Sequence, residues 1–225
     1  MRLARVEARL AAGSVDRTLP ALDSANYRFA VHHFDVACPL LMAIDPGRGR
    51  LLVLLPESQA WVALDKGARL QLGCPNARGW RMELAGMPER ATLYLPTTRG
   101  LAAVTPALLR LSYTVEYFGD GPAIGGPVAW AGDVWLPVQG RDHCVHLVGK
   151  PLGPAGPVVL STRIPVPPNG FEAPVFDAFH VNWPCDQGQL ILGVDTKGGK
   201  RVDWVPWPDA LAPVFALGCP YRSQL

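Results

Sequence analysis

Charge is scarce in this chain. Asp, Glu, Lys and Arg make up 18% of its 225 residues, and 21 basic against 19 acidic side chains leave a formal net charge of +2. Nucleic-acid binding needs clustered Lys and Arg, so this balance carries no footprint for it. Long apolar runs are also missing. Although 49% of residues are hydrophobic, no run approaches the roughly 18 that cross a bilayer, and no membrane span is predicted. Sustained helical periodicity is missing too, because 23 Gly and 23 Pro interrupt the chain too often for a bundle or coiled coil. Several catalytic signatures are absent: no G-x-x-x-x-G-K-[ST] loop, no G-x-G-x-x-G opening a helix, no H-E-x-x-H and no G-x-S-x-G. The acidic residues are scattered. No carboxylate pair presents itself for acid–base work, and Asp45 and Asp195 stand alone in their turns, without the clustered oxygens of a calcium loop.

What is present is a period of two. Leu70-Gln71-Leu72, Trp80-Arg81-Met82-Glu83-Leu84 and Thr92-Leu93-Tyr94-Leu95 alternate, which puts apolar side chains on one sheet face. Leu40 to Ile44 and Leu51 to Leu55 are continuous apolar runs, suited to strands buried on both faces. Between them the turn formers Asp45-Pro46-Gly47-Arg48-Gly49-Arg50 predict a hairpin. Further strands are predicted at Ser112 to Phe118, Asp133 to Val138, Cys144 to Val148, Val158 to Thr162, Phe176 to Val181, Gln189 to Val194 and Val202 to Val205. Loops are predicted at Gly149 to Pro157, Ile164 to Gly170 and Thr196 to Lys200. Two short helices are expected. One spans Met1 to Ala12, where Leu3, Val6 and Leu10 recur at helical spacing; the other spans Leu101 to Leu111, with Pro106 tolerated in its first turn. The fold expected is all-β, with two β-sandwich or barrel lobes and one or two short helices. Residues 1–26 would be an N-terminal helix and linker, 27–120 a first β lobe and 121–225 a second. The irregular Gly119 to Pro127 stretch marks the boundary. No signal peptide is read at the N-terminus, which with the absent span gives a cytoplasmic expectation.

The halves share an order of features. His33-x4-Cys38, an apolar run ending at Asp45, a Gly-rich turn and Leu72-Gly73-Cys74-Pro75 are followed by His180-x4-Cys185, a run ending at Asp195, a Gly-rich turn and Leu217-Gly218-Cys219-Pro220. Duplication produces such an order, and so does chance recurrence of strands and turns. The cysteines leave three readings open. Disulfides Cys38–Cys74 and Cys185–Cys219 would each close a loop of about 35 residues and contribute about 3–4 kcal/mol, but need an oxidising compartment. A metal reading groups His33, Cys38 and Cys74 at one site and His180, Cys185 and Cys219 at its twin. His32 or Asp35 would be the fourth ligand in one and Asp186 in the other, and zinc the metal. The third reading is reduced cysteines packed as small apolar residues. No cofactor is otherwise predicted.

The densest reactive group is Asp142-His143-Cys144-Val145-His146. On a strand Asp142, Cys144 and His146 share a face and His143 takes the other. Cys144 is then a candidate nucleophile activated by His146 or His143, or a metal ligand beside them; the alternative is a plain strand end. Trp183, Trp204 and Trp207 lie close together beside Pro184, Pro206 and Pro208. Exposed Trp beside Pro forms a flat surface for a sugar, a peptide or a protein. Trp183 and Trp207 are the binding candidates, while Trp204, in alternation with Val202, reads as core.

Residues Phe34-Asp35, Leu40 to Ile44, Asp45 to Arg50 and Arg81-Met82-Glu83-Leu84-Ala85-Gly86-Met87-Pro88 resemble the tellurium-resistance TerD-like β-sandwich, over residues 27–99. The resemblance implies a sandwich fold and a stress-response role. That family's calcium site uses a run of acidic residues, of which this sequence keeps only Asp35 near the matching place, so no site residue is carried over.

The sequence therefore reads as a non-enzymatic β-rich binding or assembly protein, with a protein partner or homo-oligomer and some apolar surface covered by it. A metal-binding protein or Cys/His enzyme centred on Asp142–His146 is the alternative, and a TerD-like module or a carbohydrate-binding module come after it.

Overall fold

In the computed structural model the residues described are 28–32, 40–45, 50–55, 60–64, 79, 81–86, 91–107 and 112–208. Every regular element among them is a β-strand, as the period-two pattern requires, and no helix there is long and apolar enough to cross a membrane. The strands form four antiparallel sheets. Each is a meander of four consecutive strands, the form of repeated β-architectures such as propeller blades.

The chain gathers into two compact units. One comprises Met1–Gly73, Met82–Leu95 and Ala102–Tyr117; the other comprises Cys74–Arg81, Pro96–Leu101 and Phe118–Leu225. The first sheet holds β1 (Arg28–His32), β2 (Leu40–Asp45), β3 (Arg50–Leu55) and β4 (Ala60–Leu64). The predicted hairpin is here: Asp45 pairs with Arg50 and Met42 with Val53. Met42, Ala43 and Ile44 are buried in succession, as are Leu51, Leu52 and Val53, so both faces of these strands are covered.

The second sheet holds β5 (Glu83–Ala85), β6 (Thr92–Thr97), β7 (Gly100–Ala107) and β8 (Ser112–Phe118). Its third strand corrects the helix expected over Leu101 to Leu111. Leu101, Ala102, Ala103 and Val104 are all buried in an extended chain, and an apolar run covered on both faces has no period that separates strand from helix. The deciding feature is the tight turn before it. Thr97 Oγ1 donates to the Gly100 carbonyl (2.9 Å) and accepts from the Arg99 N–H (3.1 Å), which sends β7 back along β6. The other expected helix, Met1 to Ala12, lies outside the described residues.

The remaining sheets belong to the second unit. The third holds β9 (Val128–Trp130), β10 (Asp133–Gln139), β11 (Cys144–Pro151) and β12 (Val158–Pro165). The fourth holds β13 (Val175–Phe176), β14 (His180–Cys185), β15 (Gly188–Val194) and β16 (Lys200–Pro206). One face of each sheet meets the other in a single apolar core. Trp130, Trp135, Val145 and Leu147 come from the third; Val181, Trp183, Leu190 and Leu192 come from the fourth. Two aromatic–glycine contacts shape this core. A Cβ on Gly149, the cross-strand partner of Trp135, would fall 2.6 Å from the Trp135 ring, and one on Gly188 would fall 2.8 Å from the Trp204 ring. Each glycine is thus the seat on which an indole lies.

Two strands depart from the sequence reading. Phe176 to Val181 was expected as one strand, but Asp177 accepts the N–H groups of Phe179 and His180 on one oxygen (both 2.7 Å). Its own N–H bonds the His180 carbonyl (2.9 Å), which folds the segment into the β13–β14 turn. Val158 to Thr162 was expected to end at Thr162, but β12 runs on to Pro165 through a bulge. Cys144 pairs with Pro165 and His146 with Ser161, so β12 carries two more residues than β11 across that interval.

Candidate functional site

The Asp142–His146 segment is a turn that runs into the start of β11. Asp142 precedes β11 and caps the turn: one carboxylate oxygen accepts the Cys144 N–H (3.0 Å) and the other faces His146 Nε2 (3.2 Å). The Cys144 N–H bond, helped by His146, holds the Asp142 carboxyl below its ordinary value. His143 stands at φ +60°, with its Nδ1 3.3 Å from Gln139 Nε2. The shared face expected of Asp142, Cys144 and His146 is corrected accordingly, because Asp142 reaches back in a turn and its own backbone is not extended. His146 turns to Asp142, leaving no imidazole assigned to activate the Cys144 thiol.

The twin metal site of the second half is also corrected. His180 and Cys185 are the first and last residues of β14. At about 3.3 Å per residue they stand roughly 16 Å apart, and an odd separation puts them on opposite faces. His180 is exposed, while Cys185 is buried in the core, where burial pushes its thiol up. They cannot ligate one ion. His33, Cys38, Cys74 and Cys219 lie outside the described residues. Among the described residues no three His, Cys, Asp or Glu side chains converge to hold a metal ion.

The tryptophans divide differently from the sequence reading. Trp183 is no surface platform. It is fully buried between the two sheets, and its indole N–H donates to the Gly126 carbonyl (3.0 Å). Trp207 is half-buried and pinned, its indole N–H donating to the Cys185 carbonyl (2.7 Å). Trp204, read as core, leans on the core but also opens to solvent.

Trp204 and its strand wall a concavity of this unit. The edge strands of the two sheets, β12 and β16, leave between them a cleft of about 590 Å³, lined by residues 159–164 on one side and by Lys200, Val202, Asp203 and Trp204 on the other. That is within the range of small-ligand sites. The bulge in β12 sets its wall. Thr162 Oγ1 donates to the Val145 carbonyl (2.5 Å) and accepts the Ile164 N–H (3.1 Å), replacing ladder bonds that the extra residues interrupt. Arg163 sits at the crest of the bulge and is exposed. Bulges of this kind re-aim side chains beside binding sites. Asp203 is bound by Arg201, whose Nε and Nη2 reach Oδ1 at 2.9 and 2.8 Å. Lys200 lies 3.7 Å from Asp133 and over the Trp130 ring, 4.8 Å from its centroid. A second concavity, of about 840 Å³, lies along the fourth sheet and is lined by His180, Asn182, Ile191, Arg201 and Asp203 among others.

No sequence signal pointed to this cleft. Arg163 fell just past the predicted Val158 to Thr162 strand, and alternation does not reveal a bulge; Trp204 was visible, but its alternation with Val202 reported only its packed side.

No family model matches the chain, and no curated protein matches it. Among solved structures, the fold is similar to that of the SapL1 lectin in complex with alpha methyl fucoside. The TM-score is 0.50 at 13% identity, covering 81% of this chain and 64% of the lectin chain. This chain therefore spans somewhat less than two thirds of the lectin's length. An α-L-arabinofuranosidase (CtGH43) from Clostridium thermocellum also matches, with TM-score 0.43 and 11% identity, over 80% of this chain and 72% of the enzyme. At such identities the likeness to the lectin is one of β-rich fold.

Proposed function

We propose that this protein binds a saccharide in the cleft between β12 and β16. The observation that carries the reading is Trp204. It is half-buried at the mouth of the cleft, with its indole N–H unpartnered among the described residues, beside the bulge that brings up Arg163. An indole offers an apolar π-face with a donor at its edge. A sugar ring is its complement, with a C–H face to stack and hydroxyls around the rim. The fold adds support, because its lectin neighbour holds a fucoside. Binding fits the cleft better than hydrolysis. Asp203 is the single carboxylate on its walls and is tied to Arg201, whereas glycoside hydrolysis generally uses a pair of carboxyl groups.

The test is titration calorimetry against a panel of neutral and acidic oligosaccharides, with Trp204→Leu to remove the stacking face and Ser161→Tyr to fill the cleft. Loss of binding in both variants, with circular dichroism unchanged, supports the site. Unaltered binding in both, or no binding by the wild type to any member, overturns it.

A second reading, self-association through a protein surface, has its own observation. Val175, Phe176 and Phe179 flank the Asp177 turn and are 62%, 53% and 71% exposed. Grouped apolar exposure of this kind marks contact surfaces. Sedimentation velocity over a concentration series would show association that Phe176→Ser with Phe179→Ser abolishes. A monomer at every concentration would remove this reading.

A further inference from the structure

Resting on the saccharide reading, we infer that the cleft selects an acidic saccharide, one whose carboxylate or sulfate group is held by Arg163. The argument is a charge balance. Three charged side chains line the cleft: Arg163, Lys200 and Asp203. Asp203 is neutralised by Arg201 through two N–H groups. Lys200 is matched by Asp133, hydrogen-bonds the Ala131 carbonyl (3.3 Å) and is cushioned on the Trp130 ring. Arg163 has neither an ion pair nor a hydrogen bond among the described residues. One positive charge is left over, and it sits where the bulge holds it.

The free side-chain groups lean the same way: the Arg163 guanidinium and the Trp204 indole N–H are donors, while the Ser161 hydroxyl both donates and accepts. The Thr162 hydroxyl is spent at both ends on Val145 and Ile164. Uncharged sugar hydroxyls ask a site for acceptors as well as donors. An anionic group asks only for donors, and guanidinium presents them as a planar fork that two oxygens can span. The bulge fixes the backbone from which Arg163 projects. The Trp204 face would carry the ring and Arg163 the charge.

The experiment compares matched probes: oligogalactose, oligogalacturonate, and the same galactose oligomer bearing 6-sulfate. They are titrated into the full chain at low and high salt, with the wild type and with Arg163→Gln, which keeps a polar side chain and removes the charge. Arg163 is exposed, so the variant is expected to fold, and near-UV circular dichroism of the tryptophans checks this. The wild type should bind an acidic probe about tenfold or more tightly than the neutral one, the scale of a charge-assisted hydrogen bond. The preference should shrink with salt because the cleft is open to solvent. Which acidic probe wins distinguishes carboxylate from sulfate, and either supports the inference. In Arg163→Gln the preference should vanish, the acidic probes falling to the affinity of the neutral one. Equal affinity of the wild type for acidic and neutral probes overturns acidic selection but leaves the saccharide site standing, as does a preference that survives Arg163→Gln. No binding of any probe overturns both.

Discussion

Thr162, on an edge strand, donates its hydroxyl to the carbonyl oxygen of Val145 on the neighbouring strand at 2.5 Å, where a backbone N–H would have been had the two strands stayed in register. The Thr162 hydroxyl oxygen in turn accepts the N–H of Ile164. One side chain thereby satisfies two backbone groups that the bulge separates from the ladder, and the crest it supports is Arg163. Thr162→Val keeps the shape and removes both bonds, at a cost of about 1–3 kcal/mol. Urea denaturation should show that loss, Thr162→Ser should recover most of it, and saccharide binding should fall with Thr162→Val. Equal midpoints for Val and wild type would show the hydroxyl to be incidental.

Trp183 and Trp135 offer a paired comparison. Both are almost fully buried. The Trp183 N–H bonds the Gly126 carbonyl, while the Trp135 N–H has no partner among the described residues. Replacing each by Phe makes the same chemical change. Trp183→Phe strands a buried carbonyl, whereas Trp135→Phe removes a donor that had nothing to bond. Trp183→Phe should therefore be the more destabilising by about 1 kcal/mol or more, read from chemical denaturation of the two variants. The reverse order would mean that cavity formation, rather than the hydrogen bond, dominates.

Gly149→Ala should destabilise the third sheet. The added Cβ would meet three carbons of the Trp135 ring, the nearest at 2.6 Å, and the ring is held in a closed core. Overpacking of this kind costs about 1–3 kcal/mol. Trp135→Leu in the same background should recover part of the loss, because it removes the atoms in conflict. A neutral Gly149→Ala would show that the indole can slide.

Acid should loosen the turns before β11 and β14. Asp142 is held below its ordinary value of 3.8 by the Cys144 N–H and then by His146; Asp177 is held below it by the N–H groups of Phe179 and His180. The folded state holds protons less readily at these carboxyls than the unfolded chain does. Their contribution is therefore fully present above about pH 3.8 and is lost as pH falls through the depressed values. Two-dimensional NMR should show the Cys144, Phe179 and His180 amides moving only below pH 4. Asp142→Asn with Asp177→Asn should flatten the acid limb of the stability curve. Movement that sets in well above pH 4 would overturn the assignment to these carboxyls.

The all-β character, the β2–β3 hairpin and most strands of the second unit were legible in the sequence. Alternation and turn residues act locally, and local chemistry is what a sequence displays. β7 was misread because burial on both faces erases the period that would have identified it. The Asp177 turn was missed because one aspartate did the work usually signalled by Gly or Pro. The candidate site was misplaced for a related reason. Reactive side chains crowd together at Asp142–His146, yet the Asp142 carboxylate is spent on the Cys144 N–H and His146 in shaping a turn. His180 and Cys185, close in sequence, are thrown to opposite faces and ends of one strand.

The sequence by itself determined that this chain forms short antiparallel strands with apolar faces to bury, because side-chain alternation and turn propensity are properties of neighbouring residues. Only the tertiary structure decided that Trp183 is core and Trp204 a cleft wall, and that a threonine-held bulge stands Arg163 beside it. Those outcomes depend on which sheet edges meet across the unit, a long-range fact that residues forty positions apart settle through packing.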